Sequence, residues 1–321
     1  KEYRRQRQMC IRDRVFTDLT AGDSHTCALS ITKTVWCWGN NQYWQLGTGF
    51  NRSNQSEPVQ VAGDQLYTSF DAGATATCAI DTAHAFYCWG NPWPWEPGLI
   101  YTQWADIVSS FSLGNNYYCS IFADNNKYLI FNKSIYCAGD NRWGQTGSDI
   151  NPGVNYLRDY IFASTAASAN HACGLTPGGA AWCWGKGSEG QLGNGTYVAS
   201  SAQPVSVTPG RVFTSLAADA ASNHTCGLGT SGDAWCWGYN YFGQLGTGDT
   251  ANRANPVAVG GGLTFASLAV GGNHTCGLTP AGAAWCWGLN VNGQLGDGSR
   301  ANRTVPGLVT TSGSVVVPVT A

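Results

Sequence analysis

The sequence predicts an all-β fold, a β-propeller of six four-stranded blades, and three observations lead to it. Twelve of the 13 cysteines fall into six pairs along the 321 residues. The segments that carry these pairs recur roughly every fifty residues, a period that is typical of propellers and solenoids. The chain holds 42 glycines and 12% aromatic residues, a composition that many short strands joined by tight turns produce.

The cysteine pairs organise each repeat. Five pairs are separated by ten residues and one by eighteen, while Cys10 stands outside the pattern. The pairs are Cys27/Cys37, Cys78/Cys88, Cys119/Cys137, Cys173/Cys183, Cys226/Cys236 and Cys276/Cys286. In the last repeat, both cysteines lie equally far from Ala281, at the centre of a predicted hairpin turn. Opposed residues in such a hairpin have Cα atoms about 4.5 Å apart, within the range of about 4.4–6.8 Å that a disulfide spans.

The longer pair supports the same geometry. Eight extra residues separate Cys119 and Cys137, and an even insertion keeps both side chains on one face of the hairpin. The close CxxC spacing of zinc ligands does not occur in the sequence. We therefore expect one hairpin disulfide per blade and an oxidising, extracellular compartment.

Strand alternation places the tryptophans. In the AWCWG segment, Trp285 and Trp287 point to one face and Cys286 to the other. Both faces then need to be covered, as in a propeller blade packed between neighbours. Nine tryptophans share these positions and are predicted to form the core between blades: Trp36, Trp38, Trp89, Trp182, Trp184, Trp235, Trp237, Trp285 and Trp287.

Residues 91–104, NPWPWEPGLIYTQW, depart from the repeat. Trp93, Trp95 and Trp104 make this loop the predicted binding surface, although a locally packed Ω-type loop fits the same sequence.

Composition excludes several classes of protein. Only 11% of the residues are charged and 43% are hydrophobic, which excludes a disordered chain and a coiled coil. Residues 15–321 carry 11 basic and 17 acidic residues, a net charge of −6, so no nucleic-acid partner is expected. No stretch approaches the roughly 18 consecutive apolar residues of a membrane helix, and no membrane insertion is expected.

The first fourteen residues, KEYRRQRQMCIRDR, are a basic island with six Lys and Arg. A basic targeting or binding arm is one interpretation. We interpret the segment as non-native sequence, because its composition is unlike that of the rest. Residues 15–321 are predicted to form a single propeller domain, and any signal peptide is expected upstream of the sequence.

No catalytic or metal site is predicted. His25, His171, His224 and His274 occupy one repeat position beside a cysteine, which favours a structural hydrogen bond over general-base or metal-binding chemistry. No nucleophile elbow, zinc-protease, phosphate-loop or dinucleotide motif occurs. We expect no catalytic residues and no cofactor.

Asn-X-Ser/Thr sequons are consistent with secretion. The predicted glycosylation sites are Asn51, Asn54, Asn132, Asn194 and Asn302. Two further sequons, at Asn223 and Asn273, belong to the repeated NHTC segment and are interpreted as turn residues.

The repeated WG-x-N-x-x-GQLG-x-G segment, followed by Pro-Val and then by a VF-x-x-LAAG-x-x-HT strand, resembles the repeat of the RCC1 (regulator of chromosome condensation) family. Residues 224–225 and 237–246 carry the match, as do residues 274–275 with 287–298 and residues 184–195. The resemblance covers residues 15 to about 310 and is degraded in the second and third repeats. It implies a circular propeller, commonly of seven blades, of which this chain supplies six units.

The sequence predicts one strand more than six four-stranded blades require. Residues 305–309 supply a Pro-Val strand that would let the C-terminus complete the first blade, whereas residues 314–321 resemble a first strand. Either the sequence stops at the start of a seventh repeat, or the extra strand covers an edge or pairs with another subunit in self-assembly.

These observations predict a secreted, non-enzymatic module that binds a protein or glycan, or that builds a structural assembly. A secreted enzyme inhibitor belongs to the same class. The resemblance also offers a nucleotide-exchange factor for a small GTPase, which the paired cysteines disfavour. A UV-B photoreceptor is disfavoured because GGNHTC, residues 271–276, lacks the Trp and Arg of the receptor's GWRHT repeats.

Overall fold

The structure is a computed structural model that describes residues 16–21, 25–49, 52–90, 101–102, 108–122, 135–147, 153–157, 160–208, 211–291 and 293–309. These residues form 24 β-strands in six four-stranded sheets and contain no helix. The fold is therefore all-β, and its six sheets are the six predicted blades.

The first of two compact units comprises Lys1–Ser109 and Phe122–Asn132, and it holds blades one and two. Blade one consists of β1 (Phe16–Ala21), β2 (His25–Ser30), β3 (Val35–Gly39) and β4 (Gln55–Gln60). Blade two consists of β5 (Tyr67–Ala72), β6 (Ala76–Asp81), β7 (Phe86–Gly90) and the short β8 (Tyr101–Thr102).

The second unit comprises Ser110–Ile121 and Lys133–Ala321, and it holds most of blade three and all of blades four to six. Blade three consists of β9 (Val108–Leu113), β10 (Tyr117–Phe122), β11 (Ile135–Gly139) and β12 (Gly153–Leu157). Blade four consists of β13 (Ser164–Ala167), β14 (His171–Leu175), β15 (Ala181–Lys186) and β16 (Ser200–Ser206). Blade five consists of β17 (Phe213–Ala217), β18 (His224–Gly229), β19 (Ala234–Gly238) and β20 (Arg253–Ala258). Blade six consists of β21 (Ser267–Val270), β22 (His274–Leu278), β23 (Ala284–Gly288) and β24 (Arg303–Leu308).

Each blade is an antiparallel meander in which consecutive strands pair. The expectation that the C-terminus completes blade one is wrong, because β4 already pairs with β3 there and β24 pairs with β23 in blade six. Every CWG strand is thus followed by a fourth strand from its own repeat.

The predicted disulfide is present in every blade. The two cysteines of each pair are register partners on the second and third strands, as Cys226 and Cys236 are in blade five. The pair with the longer insertion, between β10 and β11, keeps the same opposed register. The six disulfides are Cys27–Cys37, Cys78–Cys88, Cys119–Cys137, Cys173–Cys183, Cys226–Cys236 and Cys276–Cys286.

The distance across each pair differs from the expected one. The Cα atoms of the paired cysteines are 4.0–4.1 Å apart, closer than the roughly 4.5 Å of an opposed pair without a covalent link. The expectation was wrong on this point because it used the spacing of an unlinked hairpin, whereas the bridge draws the two strands together. The six pairings themselves are as predicted.

The third-strand cysteines lie in the middle of their sheets. Cys37 and Cys183 are 0% exposed and Cys88 is 7% exposed. Each also has a register partner on the fourth strand of its blade: Val59 for Cys37, Tyr101 for Cys88 and Val205 for Cys183. Cys37 belongs to the cluster that includes Trp89 of the next blade, and Cys183 to the cluster that includes Trp237. The following blade therefore covers the cysteine face, as strand alternation predicts.

Hydrophobic clusters lie between consecutive blades. In the cluster between blades four and five, Leu175 of β14 packs with Phe213 at the start of β17 and with Trp237 of β19. The same three roles are filled by Leu228, Phe265 and Trp287 between blades five and six, and by Leu29, Tyr67 and Trp89 between blades one and two. In these three junctions, the earlier blade contributes one leucine and the later blade contributes two aromatic residues.

The nine CWG tryptophans differ in burial, which the alternation argument does not predict. Trp89, Trp184, Trp237 and Trp287, which directly follow the cysteine in their segments, are fully buried. The first tryptophans are half-buried and pack at the margins of the clusters, where Trp182 meets Tyr160 edge-to-face at 5.4 Å and Arg211 covers Trp235 at 3.2 Å. Trp38 is also half-buried. Alternation fixes the face of the strand, whereas depth depends on which neighbouring loop lies above the ring.

Candidate binding surface

The structure describes none of the three residues predicted for binding and three of the five predicted glycosylation sites. Trp93, Trp95 and Trp104 lie outside the described residues, as do Asn51 and Asn132. Asn54, Asn194 and Asn302 are described and lie on loops.

A different set of side chains, four of them aromatic, lies at the end of the third strand and on the loop that follows it in blades three to five. We call this set the aromatic strip; it comprises Trp143, Lys186, Glu189, Tyr239, Tyr241 and Phe242. Tyr241 is 68% exposed and Trp143 is 38% exposed. Large exposed aromatic residues are enriched where proteins bind their partners.

The three aromatic residues from blade five form one cluster. The rings of Tyr239 and Tyr241 stack with centroids 6.4 Å apart and planes inclined by 10°. Phe242 meets the Tyr241 ring edge-on at 5.0 Å. Both contacts favour this orientation of Tyr241, which reduces the conformational entropy lost when a partner covers the ring.

Blade four links this cluster to Trp143. Its Lys186 Nζ lies 5.7 Å from the centroid of the Trp143 ring and 2.9 Å from Glu189 Oε1. Partial burial, and then the negative charge of Glu189, raise the pKa of Tyr239. The strip therefore runs across three blades, and its one cation and one carboxylate form an ion pair.

Buried amides hold the loops that carry the strip. Asn240 Oδ1 accepts the backbone N–H of Leu245 at 2.9 Å, and Asn240 Nδ2 donates to the carbonyl of Ala251 at 3.0 Å. Gln244 Oε1 accepts the backbone N–H of Phe242 at 2.9 Å. In blade three, Gln145 holds the backbone N–H of Trp143 in the same way at 2.9 Å. In blades three and five these bonds belong to the repeated N-x-x-GQ segment, which holds the loop backbone beside Trp143 and Phe242.

The sequence argument did not find this strip. One sequence signal for the strip was available: an aromatic residue recurs two residues after the repeated asparagine, as Trp143 after Asn141 and Phe242 after Asn240. Proximity between residues of different repeats was needed to connect them.

Blade one carries a related aromatic residue in a strained position. Trp44 has φ = 62° where the equivalent residue of blade five is Gly243, with φ = 81°. A left-handed conformation costs a non-glycine residue roughly 1–2 kcal/mol. The guanidinium of Arg52 lies 3.4 Å from the centroid of the Trp44 ring and contributes a cation–π interaction.

The repeated histidines bond between blades. His25, His171 and His224 place Nε2 at 2.7–2.8 Å from the hydroxyls of Thr77, Thr225 and Thr275 in the next blade. Thr77 and Thr275 in turn donate to the carbonyls of Gln45 and Gln244, each at 2.9 Å. Because the hydroxyl protons of Thr77 and Thr275 are used in these bonds, their oxygens accept an Nε2–H proton from His25 and His224.

Burial depresses the basicity of these histidines. It lowers the pKa of His25 to about 4 and the pKa of His171 and His224 to about 3. The three Nδ1 atoms are buried without a hydrogen-bond partner. Among the described residues, no group of three or more His, Cys, Asp or Glu side chains lies close enough to hold a metal ion.

The described sequons fall into two classes. Asn54 and Asn302 are exposed, and their Oδ1 atoms accept the backbone N–H groups of Asn41 and Asn290 at 2.9 and 2.8 Å. Asn194 Oδ1 accepts the hydroxyl of Thr196, its own sequon threonine, at 2.8 Å. By contrast, the sequon threonines that follow Asn223 and Asn273 are fully buried.

None of the described segments is a helix long and apolar enough to cross a membrane.

Comparisons with known proteins agree with the repeat pattern. Two profiles of the regulator of chromosome condensation (RCC1) repeat match the chain. One matches residues 16–45, 162–191 and 265–294, and the other matches residues 34–80, 178–228, 231–278 and 281–321, more than half of the chain.

Curated relatives are longer than this chain. The E3 ubiquitin-protein ligase HERC2 of Homo sapiens is 25% identical over 256 residues, which are 75% of this chain and 5% of that protein. The ultraviolet-B receptor UVR8 of Arabidopsis thaliana is 30% identical over 250 residues, 74% of this chain and 56% of the receptor.

Solved structures share the fold. Prp20p from Saccharomyces cerevisiae, a protein studied for its binding to Gsp1p and histones, has a TM-score of 0.79 at 18% identity, covering 92% of this chain and 77% of Prp20p. The ectodomain of the receptor kinase CR4 from Physcomitrella patens has a TM-score of 0.58 at 24% identity, covering 86% of this chain and 62% of that one. With the repeat matched over more than half of its length, the chain belongs to the RCC1 repeat family.

Proposed function

We propose that this chain is a non-enzymatic extracellular module that binds a protein or glycan partner through the aromatic strip. The observation that carries the proposal is the exposed Tyr241 ring, stacked on Tyr239 and held on a rigid loop. Binding energy concentrates on such aromatic side chains at protein interfaces.

Two further findings support the proposal. A disulfide in every blade is the pattern expected of a protein that folds in an oxidising compartment. Among structures with this fold, CR4 is represented by the ectodomain of a receptor kinase, and Prp20p has binding properties towards Gsp1p and histones.

The compartment is tested by the intact mass of protein from its native source. We expect six disulfides, measured by alkylation with and without reduction, and a mass decrease on enzymatic removal of N-glycans. Free thiols without glycans would contradict the extracellular proposal and return the exchange-factor alternative to consideration.

Binding is tested by probing arrays of extracellular protein domains and of glycans with the full chain. A Trp143→Ala/Tyr241→Ala variant is compared with Ile161→Ala, which removes a side chain 56% exposed outside the strip. We expect the double variant to weaken the captured interaction at least tenfold, because truncated hot-spot residues cost about 2 kcal/mol or more. Equal binding by both variants would show that the strip is not the binding surface.

A further inference from the structure

The blade-five end of the aromatic strip combines ring faces with polar tips. Tyr241 is 68% exposed, and its ring contacts those of Tyr239 and Phe242. Neither tyrosine hydroxyl bonds to another residue that the structure describes. The cluster therefore offers a partner an apolar ring face and, beside it, hydroxyl groups that can donate and accept hydrogen bonds.

An ion pair lies in the middle of the strip. Lys186 Nζ is 2.9 Å from Glu189 Oε1, and the two side chains are 18% and 28% exposed. Within the described part of the chain, Glu189 Oε2 accepts no hydrogen bond. The pair thus presents a carboxylate oxygen and an ammonium group to a partner without adding net charge.

This ion pair distinguishes between the two classes of partner in the proposed function. Lysine and glutamate are depleted in the centres of protein interfaces. The hydroxyls of a sugar, in contrast, form strong hydrogen bonds with charged donors and acceptors. The C–H groups of a sugar ring also carry a partial positive charge, which the negative face of an aromatic ring attracts. Rings on either side of a partly exposed ion pair therefore favour a sugar over a protein surface.

The cations around the strip are already neutralised. Lys186 is paired with Glu189, and Arg142 places Nη2 2.6 Å from Asp140 Oδ2. No other lysine or arginine occurs at residues 140–147, 186–199 or 239–252, which are described in full. A sulfate or carboxylate group on a sugar would find no unpaired cation there, so an uncharged sugar fits this surface best.

Trp143 supplies a second exposed ring, in blade three. It is 38% exposed, and its ring centroid lies 5.7 Å from Lys186 Nζ. Tyr241 belongs to blade five, and the Lys186–Glu189 pair of blade four lies between the two rings. One sugar unit does not reach both rings, whereas a chain of several units can.

We propose that the aromatic strip binds an uncharged, linear polysaccharide along its length, an inference that rests on the proposed function. One sugar unit stacks on Tyr241 and another on Trp143. Hydroxyls of the units between them bond to Glu189 Oε2 and Lys186 Nζ. Chains of β-1,4-linked glucose or N-acetylglucosamine meet these requirements, because their ring substituents are equatorial and both ring faces carry C–H groups.

Ligand-observed NMR titration of the full chain with two oligosaccharide series tests the proposal. The probes are cello-oligosaccharides and chito-oligosaccharides, each from disaccharide to hexasaccharide. We expect the affinity for at least one series to rise about tenfold or more with length, because the longer chain engages both rings. Tyr241→Ala should weaken hexasaccharide binding about tenfold. Trp143→Ala should remove most of the gain with length.

Tyr241→Phe is the matched control, because it keeps the ring and removes only the hydroxyl. It should retain most of the hexasaccharide affinity that Tyr241→Ala loses. Hexagalacturonate, which carries a carboxylate on every sugar unit, serves as the charged probe. It should bind the unmodified chain at least about tenfold more weakly than the preferred neutral hexasaccharide, because no unpaired cation receives its carboxylates.

Several results would overturn the proposal. Absence of binding in both neutral series would do so, as would hexagalacturonate binding as tightly as the neutral chains. A protein domain that is captured through Tyr241 while no oligosaccharide binds would overturn the polysaccharide inference but leave the proposed function standing. Oligosaccharide binding that is unchanged in both Tyr241→Ala and Trp143→Ala would overturn both, because the glycan site would then lie outside the strip.

Discussion

Acidification should destabilise the second unit through its two buried neutral histidines. His171 and His224 have pKa values of about 3 in the folded chain, against about 6.5 in an unfolded chain. Because the folded pKa lies below the unfolded one, the unfolded state binds more protons between these values, and stability falls as the pH falls below about 6.5. At pH 5.0 each histidine should cost about 2 kcal/mol relative to pH 7.5, or about 4 kcal/mol for the pair.

Denaturant unfolding at pH 7.5, 6.5, 5.5 and 5.0, with the disulfides intact and tryptophan fluorescence as the signal, measures this loss. The control is His171→Gln/His224→Gln, in which an amide nitrogen can still donate to Thr225 and Thr275 but cannot titrate. Its free energy of unfolding should change much less over the same range. Carboxylates such as Asp297, whose pKa is lowered by its bond to Arg303, lose their contribution only at lower pH. A flat profile for the unmodified chain, or the same slope in both proteins, would refute the reasoning.

Three further predictions concern single sites. Gly246→Ala should lower the free energy of unfolding by about 3 kcal/mol, because φ is 70° and the new Cβ would lie 2.7 Å from Trp287 Nε1. Gly261→Ala is the control, since its φ is 90° but no atom lies within 4 Å of the new Cβ. In the same denaturation assay it should lower the free energy of unfolding by about 1 kcal/mol. Replacing both Cys226 and Cys236 with serine should cost about 3 kcal/mol by the loop-entropy relation for a closed loop of this length, and a loss below 1 kcal/mol would contradict that account. Glycopeptide mapping of secreted protein should find N-glycans at Asn54, Asn194 and Asn302 but none at Asn223 or Asn273, whose sequon threonines are buried; glycan at Asn223 in folded protein would contradict the assignment.

The sequence predicted the fold because its strongest signals are local. Cys226 and Cys236 lie ten residues apart on one hairpin, so counting along the chain is enough to pair them. The six blades follow from the repetition of that unit. The interpretation of the repeated histidines as hydrogen-bonding residues is confirmed for His25, His171 and His224, whose threonine partners lie about fifty residues away in sequence.

The aromatic strip was not predicted because it depends on contacts between repeats. The negative charge of Glu189 in blade four contributes to the raised pKa of Tyr239 in blade five, and Lys186 of blade four lies near Trp143 of blade three. No local sequence pattern connects these residues. Depth of burial was also beyond the sequence argument. Trp235 and Trp237 share a strand face, but Trp237 lies under the Gln191 loop and donates to its carbonyl at 3.0 Å, while Trp235 is covered by Arg211 at the margin.

The junction between blades three and four shows what the repeats preserve. Here Tyr117 stands where blades one, four, five and six have histidine, and Ala172 stands where the next blade has threonine. A histidine at position 117 would meet no hydroxyl on Ala172, and its buried N–H would lose a bond worth about 1–3 kcal/mol. The longer Tyr117 side chain instead donates its hydroxyl to the carbonyl of His171 at 2.5 Å and accepts the backbone N–H of Ser168 at 3.1 Å. The two departures from the repeat therefore compensate each other, and this junction shares with the junctions that follow blades one, four and five a satisfied bond between blades, although a different residue makes it.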